Sequence, residues 1–368
     1  MLHATEDYQE LDKYVKEKNI QSIFLVCGDS LQYLKINDYI SDLSKRIKIV
    51  KFSDFKPNPL YESVVEGVRK YRESGCDFLM AVGGGSAIDV AKCIKLYAKL
   101  PGDGKNGSWL QSDGEVNNTE LLVIPTTAGT GSEATRYAVV YYGGNKQSIT
   151  SDTIIPDAVL FDPRVLDSLP DYQKKSTVMD ALCHAVESFW SVNSTNDSKE
   201  YSRTAIELII ENIDEFVVGD NSKNSIMQKA AFIAGKAINI TQTTAGHAMC
   251  YGLTSKYGIS HGHAAALCVR ELWPWMLKAS EEACIDKRGN KYLKETFIEL
   301  AEAFGENDLM DGCMKFQNIV DRLELMHLVG NKEDIEELSR NVNPVRLSNN
   351  PVKLNEDDIT NLYKEIVR

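Results

Sequence analysis

In the first half of the chain, short continuous apolar runs alternate with longer amphipathic stretches. A continuous apolar run bounded by turn residues is typical of a strand buried on both faces, whereas an apolar repeat of about 3.6 residues indicates a helix. Because the two patterns alternate, we predict a parallel sheet covered by helices. The predicted strands are 22–27, 49–52, 77–82, 121–125, 138–142 and 158–162, and the predicted helices are 31–47 and 61–74. Residues 5–19 are predicted to form a first helix or an edge element.

After Pro163 the strand pattern nearly disappears and helical periodicity dominates. A chain of 368 residues is long enough for two domains, because single cores stop growing near about 250 to 300 residues. We therefore predict an α/β domain over residues 1–165 and a helical domain over residues 166–368. The predicted helices of the second domain are 172–193, 199–217, 224–240, 264–279, 290–303, 308–328 and 355–367.

Charge, apolar runs and cysteine usage limit the binding partners and the cellular compartment that we expect for this protein. The formal net charge of −12 disfavours nucleic acid or an anionic membrane as a partner, so an anionic ligand would need a local basic pocket. The apolar runs are too short to cross a bilayer, and the first residues contain no apolar signal core. The eight cysteines form no Cys-x-x-Cys pair and lie mostly in apolar segments, which is typical of reduced, buried thiols. We expect a cytoplasmic protein.

Three consecutive glycines, Gly83 to Gly85, directly follow the predicted strand 77–82 and precede a helix that we expect Ser86 to cap. Residues without a Cβ atom let backbone N–H groups approach a phosphate, and a helix N-terminus favours negative charge. The alternative is a purely structural turn, but a turn does not require three glycines. We predict a pyrophosphate cradle here. The polar loop 126–135 follows the next strand and is a weaker candidate for cofactor contacts.

Four of the six histidines lie between residues 178 and 267. Asp180 and His184 are four residues apart and therefore share one face of a predicted helix. His247, His261 and His263 follow in two segments rich in small residues. A single histidine on an apolar face is usually a core residue, but this clustering favours a metal site. One carboxylate with two or three imidazoles suits iron(II) or zinc.

Several motifs together resemble those of the iron-containing alcohol dehydrogenase family over nearly the whole chain. The resemblance implies a Rossmann-like, dinucleotide-binding α/β domain, a helical metal-binding domain of the dehydroquinate synthase-like architecture, and an active site in the cleft between them. The motifs are Pro57-Asn58-Pro59, Gly83-Gly84-Gly85-Ser86-x-x-Asp89-x-x-Lys92, the run from Thr126 to Glu133, Pro156-Asp157, Asp162-Pro163 and the histidine segments.

The resemblance also implies the site residues. The metal, Fe²⁺ or Zn²⁺, would be bound by Asp180, His184, His247 and His261. NADPH or NADH would be bound by Gly28, Asp29, Ser30, Pro59, Gly83, Gly84, Gly85, Ser86, Asp89, Thr126, Thr127, Thr130, Ser132 and Lys146. Gly28 stands where the family's discriminating acidic residue is expected, with Asp29 next to it, so NADP is admitted and NAD is not excluded.

The sequence departs from the family four residues after His247, where many members carry a histidine and this chain carries Tyr251. The resemblance implies reduction of an aldehyde by hydride transfer, and the accompanying proton could come from Tyr251, His263 or water. A homo-oligomer is expected.

The histidine segments look most like a branch of the family that reduces phosphonoacetaldehyde to 2-hydroxyethylphosphonate. An anionic substrate of this kind requires a nearby cation, for which Arg136 is our candidate; alternatively, Arg136 is solvated or paired with a carboxylate. Another small aldehyde, of the lactaldehyde or short-chain alcohol type, is the main alternative substrate. The same architecture could also belong to a dehydroquinate synthase-type lyase or to a non-catalytic nucleotide-binding protein.

Overall fold

The computed structural model describes residues 1–112, 118–342 and 344–368. The chain divides into two compact units, one of residues 1–127 with 131–169 and one of residues 128–130 with 170–368. The domain boundary predicted at residue 165 falls in the short 3-10 helix Pro163–Leu166, just before this division. Part of the loop predicted from Gly102 to Asn118 lies outside the described residues.

A six-stranded sheet forms the centre of the first unit, in the order β1-β8-β5-β4-β2-β3. All of its pairings are parallel, and its central strands are buried along nearly their whole length, as continuous apolar runs require. The predicted parallel sheet is therefore confirmed. Its strands are β1 (Leu2–His3), β2 (Ser22–Cys27), β3 (Lys48–Phe52), β4 (Phe78–Gly83), β5 (Leu121–Pro125) and β8 (Ala158–Phe161).

One predicted strand lies outside this sheet. β6 (Tyr137–Tyr142) pairs antiparallel with β7 (Asn145–Thr150), which the sequence analysis missed. Gly143 and Gly144 connect the two strands with positive φ angles of 56° and 77°. Two such residues form the tight turn that favours a hairpin, so the Gly-Gly pair was the available signal.

The helices of the first unit are α1 (Gln9–Glu17), α2 (Ile36–Leu43), α3 (Tyr61–Ser74) and α4 (Gly85–Tyr97). The helix predicted over 31–47 is shorter than expected, because a 3-10 turn, Asp29–Tyr33, precedes α2. The prediction that Ser86 caps α4 was wrong. Gly84 occupies the cap position with extended backbone and no side-chain cap, and Ser86 lies inside the helix.

The second unit consists mainly of helices. The sequence analysis missed α8, because Ala245 to Cys250 are all buried and leave no alternation of polar and apolar faces. No helix in the described part of the chain is both long and apolar enough to cross a membrane. The helices are α5 (Asp171–Trp190), α6 (Asn196–Val217), α7 (Asn224–Thr241), α8 (Ala245–Tyr257), α9 (His261–Lys278), α10 (Asn290–Ala303), α11 (Leu309–Arg322), α12 (Lys332–Arg340), α13 (Pro344–Leu347) and α14 (Glu356–Ile366).

Two side chains of α4 hold the polar segment that follows Gly131. The Lys92 ammonium is fully buried and donates to the backbone carbonyls of Ser132, Thr135 (2.7 Å) and Tyr137 (2.8 Å). Asp89 accepts from the Ser132 hydroxyl at 2.7 Å and from the backbone N–H of β6 at Val139, at 3.0 Å. The Asp89-x-x-Lys92 spacing places both groups on one helix face, so this motif fixes the segment and the hairpin to α4.

Glu133 lies in the same segment and is only 3% exposed. Burial raises the pKa of Glu133 to about 7, from an ordinary value of 4.5. The folded protein therefore binds this proton more tightly than the unfolded chain does. Protonated Glu133 therefore stabilises the folded protein at acid pH, and this stabilisation is lost as the pH rises towards 7.

We expect Glu133→Gln to stabilise the protein relative to wild type at pH 8 and to have little effect at pH 5, because glutamine is neutral throughout. Urea unfolding midpoints of both proteins at the two pH values would measure this, with Glu62→Gln on an exposed position of α3 as the matched control. Equal pH dependence in wild type and Glu133→Gln would contradict the prediction.

Candidate metal centre and cofactor site

Three predicted metal ligands come together in the second unit. Asp180 lies in the middle of α5, His247 lies in the first turn of α8, and His261 is the first residue of α9. One ligand atom from each of these residues lies within 4.8 Å of the other two. Asp180 Oδ1 and His247 Nε2 are 3.5 Å apart, and both side chains are buried. Residues far apart in the sequence therefore converge on one point.

His184 adjoins this group without belonging to the set of three. Its ring stacks on that of His247, with centroids 4.5 Å apart and an interplanar angle of 15°. Among the described residues, no hydrogen-bond partner is found for Asp180 Oδ1, His184 Nδ1 or His247 Nε2. Buried polar atoms normally have a hydrogen-bond partner, whereas here Asp180 Oδ1 and His247 Nε2 face each other only at 3.5 Å, so the arrangement fits a bound cation.

The protonation states of Asp180 and His184 suit a divalent cation. Burial disfavours an ionised Asp180, but His184 and the other histidines outweigh it and hold the pKa of this carboxyl well below its usual range. Burial lowers the pKa of His184 to about 4, which leaves a neutral imidazole. One ionised carboxylate with imidazole donors is a set that binds iron(II) or zinc.

Glu187 is a component of the site that the sequence analysis missed. Its carboxylate is fully buried and accepts from the Thr244 backbone N–H at 3.0 Å, from the Thr244 hydroxyl at 2.6 Å and from the His247 backbone N–H at 3.2 Å. Its second oxygen contacts Nδ1 of the His247 ring. Despite burial, the charge of His247 and these hydrogen bonds keep the pKa of Glu187 below its usual value, so the carboxylate is ionised.

This contact fixes the ring of His247. When Nδ1–H donates to Glu187, Nε2 is the ring atom that faces Asp180, and a carboxylate behind a ligating histidine is the usual arrangement at metal sites. Against the effect of burial, Glu187 raises the pKa of His247 to about 9, so a proton must leave Nε2 before His247 can act as a ligand. The signal was available, because Asp180, His184 and Glu187 follow the i, i+4, i+7 spacing of one helix face.

Gly262 lets α9 approach α5 closely enough to complete the group. A Cβ atom at this position would lie 2.0 Å from the backbone oxygen of Ser176 and 2.8 Å from Cβ of Asp180. Any side chain here would push the two helices apart. The glycine is therefore required where His261 begins α9.

The two candidate proton donors occupy different environments. The Tyr251 ring stacks on the His261 ring, with centroids 5.3 Å apart and an angle of 15°. His263 has both ring nitrogens engaged, Nδ1 with the Tyr172 hydroxyl and Nε2 with the Met326 carbonyl, each at 3.0 Å. Tyr251 thus lies directly against a predicted ligand, whereas His263 is held by α5 and the segment after α11.

The predicted cofactor segments meet at one edge of the first unit's sheet. Gly28, Asp29 and Ser30 follow β2, the run from Gly83 to Ser86 follows β4, and Thr126 with Thr127 follows β5. These strands are parallel neighbours. β3 and β4 pair with opposite sides of β2, so the strand order reverses at that point. Such a reversal is where open α/β sheets bind ligands.

Packing requires glycine at one position of this turn and leaves little room for a side chain at the next. A Cβ atom at Gly83 would lie 2.6 Å from Cβ of Ala87, and one at Gly84 would lie 3.2 Å from the Thr127 side chain. Gly84 thus lets the turn after β4 approach the turn after β5. At Gly28, in contrast, an added Cβ would meet no atom within 4 Å.

The remaining predicted residues are distributed over both units. The Pro59 carbonyl accepts from the Tyr141 backbone N–H at 2.8 Å, and Lys146 lies on β7 of the hairpin that Asp89 holds. Thr130 belongs to the second unit. Arg136 belongs to the first unit, where its guanidinium donates to Asp152 at 3.2 Å, so its role in substrate binding stays a prediction.

Comparison with known proteins identifies relatives of the chain. A sequence from Streptomyces viridochromogenes, phosphonoacetaldehyde reductase, is 30% identical over 254 residues, which cover 66% of this chain and 64% of that protein. Long-chain-alcohol dehydrogenase 1 from Geobacillus thermodenitrificans is 31% identical over 73% of this chain and 69% of its own length. The chain thus spans just under two thirds of the Streptomyces protein.

The fold has close counterparts among solved structures. The structure of sulfoacetaldehyde reductase from Bifidobacterium kashiwanohense, solved in complex with NAD⁺, superimposes with a TM-score of 0.87 at 25% identity and covers 99% of this chain and 96% of that one. This likeness confirms the α/β and helical architecture. The family model for iron-containing alcohol dehydrogenase matches residues 2–163, and the model for the C-terminal part of that family matches residues 174–367. The chain therefore belongs to the iron-containing alcohol dehydrogenase family.

Proposed function

We propose that this oxidoreductase is a metal-dependent aldehyde reductase that uses NADPH or NADH. The observation that carries the proposal is the group of Asp180, His247 and His261, in which one ligand atom from each residue lies within 4.8 Å of the others and the first two side chains are buried. Glu187 contacts Nδ1 of His247 and fixes the orientation of that ring, which is the usual role of a carboxylate behind a ligating histidine. A lyase of the dehydroquinate synthase type is the less supported alternative, because the motifs from Thr126 to Glu133 fit the dehydrogenases better.

In this proposal, iron(II) or zinc is held by the three grouped residues with His184 as the adjoining fourth ligand. When bound, such an ion would supply Lewis acidity towards a carbonyl oxygen, and a reduced nicotinamide would supply a hydride. The protein's own contribution is a set of donors that burial and Glu187 hold in one orientation. Both metals suit this donor set, and their availability decides between them.

The dinucleotide is proposed to bind at the reversal of strand order in the first unit. Backbone N–H groups at Gly84 and Gly85, with the N-terminus of α4, favour a pyrophosphate there. The open space at Gly28 leaves room for a 2′-phosphate, so we favour NADPH slightly over NADH. Thr126 and Thr127 would contribute hydroxyl groups from the neighbouring turn.

Tyr251 is our preferred proton donor. Its ring lies against His261, whereas both nitrogens of His263 are already hydrogen-bonded. A phenol in this position takes the place of the histidine found in many members of the family. The Tyr251 hydroxyl would deliver the proton that the product alcohol requires.

Phosphonoacetaldehyde is the proposed substrate. Two relatives support an aldehyde that carries an anionic group, since one is named for phosphonoacetaldehyde and the other for sulfoacetaldehyde. The relative named for long-chain alcohols supports the alternative, an uncharged aldehyde. In either case the reacting carbonyl group is the same, and only the recognition of the rest of the molecule differs.

The first test is the oxidation of NADPH and of NADH by iron-reconstituted protein, with phosphonoacetaldehyde or propanal as substrate. We expect a preference of about a hundredfold in kcat/KM for phosphonoacetaldehyde, equivalent to about 2.7 kcal/mol, and loss of activity after chelation. Equal rates on propanal would favour the uncharged alternative. Absence of net cofactor oxidation with any aldehyde would refute the reductase.

We expect Glu187→Gln to weaken zinc and iron(II) binding about 10-fold to 100-fold. The amide can still accept from Thr244, but its NH₂ group faces Nδ1 and favours the tautomer in which Nε2 carries the proton. Titration calorimetry of the metal-free protein would measure the affinity, with Glu200→Gln on the exposed face of α6 as the control. Unchanged affinity would mean that Glu187 only caps α8.

Tyr251→Phe tests the proton donor, because phenylalanine keeps the ring that stacks on His261 and removes only the hydroxyl. We expect kcat to fall about 100-fold or more while KM changes little. Tyr201→Phe in α6 is the matched control. If kcat is retained in Tyr251→Phe, the proton comes from His263 or from water.

A further inference from the structure

The second unit contains an arginine beside the predicted proton donor. Arg346 lies on α13, and the centre of its guanidinium is 5.5 Å from the centroid of the Tyr251 ring. That ring in turn stacks on His261, with the centroids 5.3 Å apart. A single aromatic side chain therefore contacts both a positive charge and one of the grouped metal ligands.

The position of Arg346 is fixed by hydrogen bonds to the connection between α7 and α8. Its Nη1 donates to the Thr243 hydroxyl at 3.0 Å. Three residues later, Asn349 donates to the side chain of Gln242 at 3.1 Å and to the Thr243 carbonyl at 3.2 Å. Because Thr243 directly precedes the N-cap of α8, the guanidinium is anchored to the helix that carries His247 and Tyr251.

We propose that Arg346 recognises the oxyanion of an aldehyde substrate, a phosphonate or sulfonate attached close to the reacting carbonyl. A guanidinium is planar, carries five N–H donors and matches tetrahedral oxyanions with paired hydrogen bonds. In a protein of net charge −12, an anionic substrate requires a local cation of this kind. The inference rests on the proposed aldehyde reductase function and specifies its substrate class.

The aromatic ring of Tyr251 is a favourable neighbour for the positive charge of Arg346. The face of an aromatic ring attracts a cation, whereas a protonated histidine at position 251 would repel the guanidinium. Tyrosine therefore permits a positive charge at this distance from His261. The substrate would be oriented by its charged end at Arg346 and by its carbonyl end at the metal ligands.

The test compares charged and uncharged aldehydes in Arg346→Gln and Arg346→Lys. We expect kcat/KM for phosphonoacetaldehyde and sulfoacetaldehyde to fall about a hundredfold more than kcat/KM for propanal in Arg346→Gln, mainly through KM. Arg346→Lys should recover part of the loss, because it keeps the charge without the paired donors. Arg340→Gln on the exposed end of α12 is the matched control, since it removes the same charge and should leave the ratio unchanged.

A binding measurement separates this inference from the proposed function. We expect methylphosphonate to bind the metal-free wild-type protein in titration calorimetry and to lose at least tenfold in affinity with Arg346→Gln. Equal losses on charged and uncharged aldehydes, with methylphosphonate binding retained, would show a merely structural role and overturn the inference. If no aldehyde is reduced, the reductase function fails, and the loss of methylphosphonate binding in Arg346→Gln would still support an anion site at Arg346.

Discussion

The buried carboxylate of Glu187 links the N-terminus of α8 to α5, and the arrangement of the candidate metal centre depends on this link. It accepts hydrogen bonds from the backbone N–H groups of Thr244 and His247 and contacts the imidazole of His247. A fully buried charge is costly unless hydrogen bonds surround it, and here both oxygens are occupied. The same interactions that make the charge tolerable therefore determine where α8 begins and how its first histidine is turned.

In the first unit, the family motif on α4 divides into two kinds of residue. Gly83 and Gly84 permit close approach of backbone and side chains at the end of β4. Asp89 and Lys92 face inward and hold the segment after Gly131 by its carbonyl and hydroxyl groups. A motif that is read as a cofactor signature thus contains two residues that hold the neighbouring segment in place.

Much of the fold, and the grouping of residues at the candidate metal site, could be predicted from the sequence, because both depend on strong local patterns. Continuous apolar runs indicated the parallel strands, and the spacing of Asp180 and His184 indicated a shared helix face. α8 was missed because its first six residues are all buried, which removes the periodic signal there. Glu187 was missed although it lies at i+7 on the helix face of Asp180 and His184, because its contact with His247 is about 60 positions away in the sequence. Arg346 was missed because its role depends on contacts with residues about 100 positions away, which no local pattern reveals.

The tight packing around Gly262 also determines which related sequences can assemble the same group of residues. Its hydrogen faces the backbone oxygen of Ser176 where even a methyl group cannot fit. A homologue that keeps all four predicted metal ligands but has alanine at this position could not bring its α9 to the same distance from α5. The glycine between His261 and His263 is therefore as diagnostic of an assembled centre as the imidazoles themselves, and it belongs in any sequence pattern used to separate active enzymes from inactive descendants.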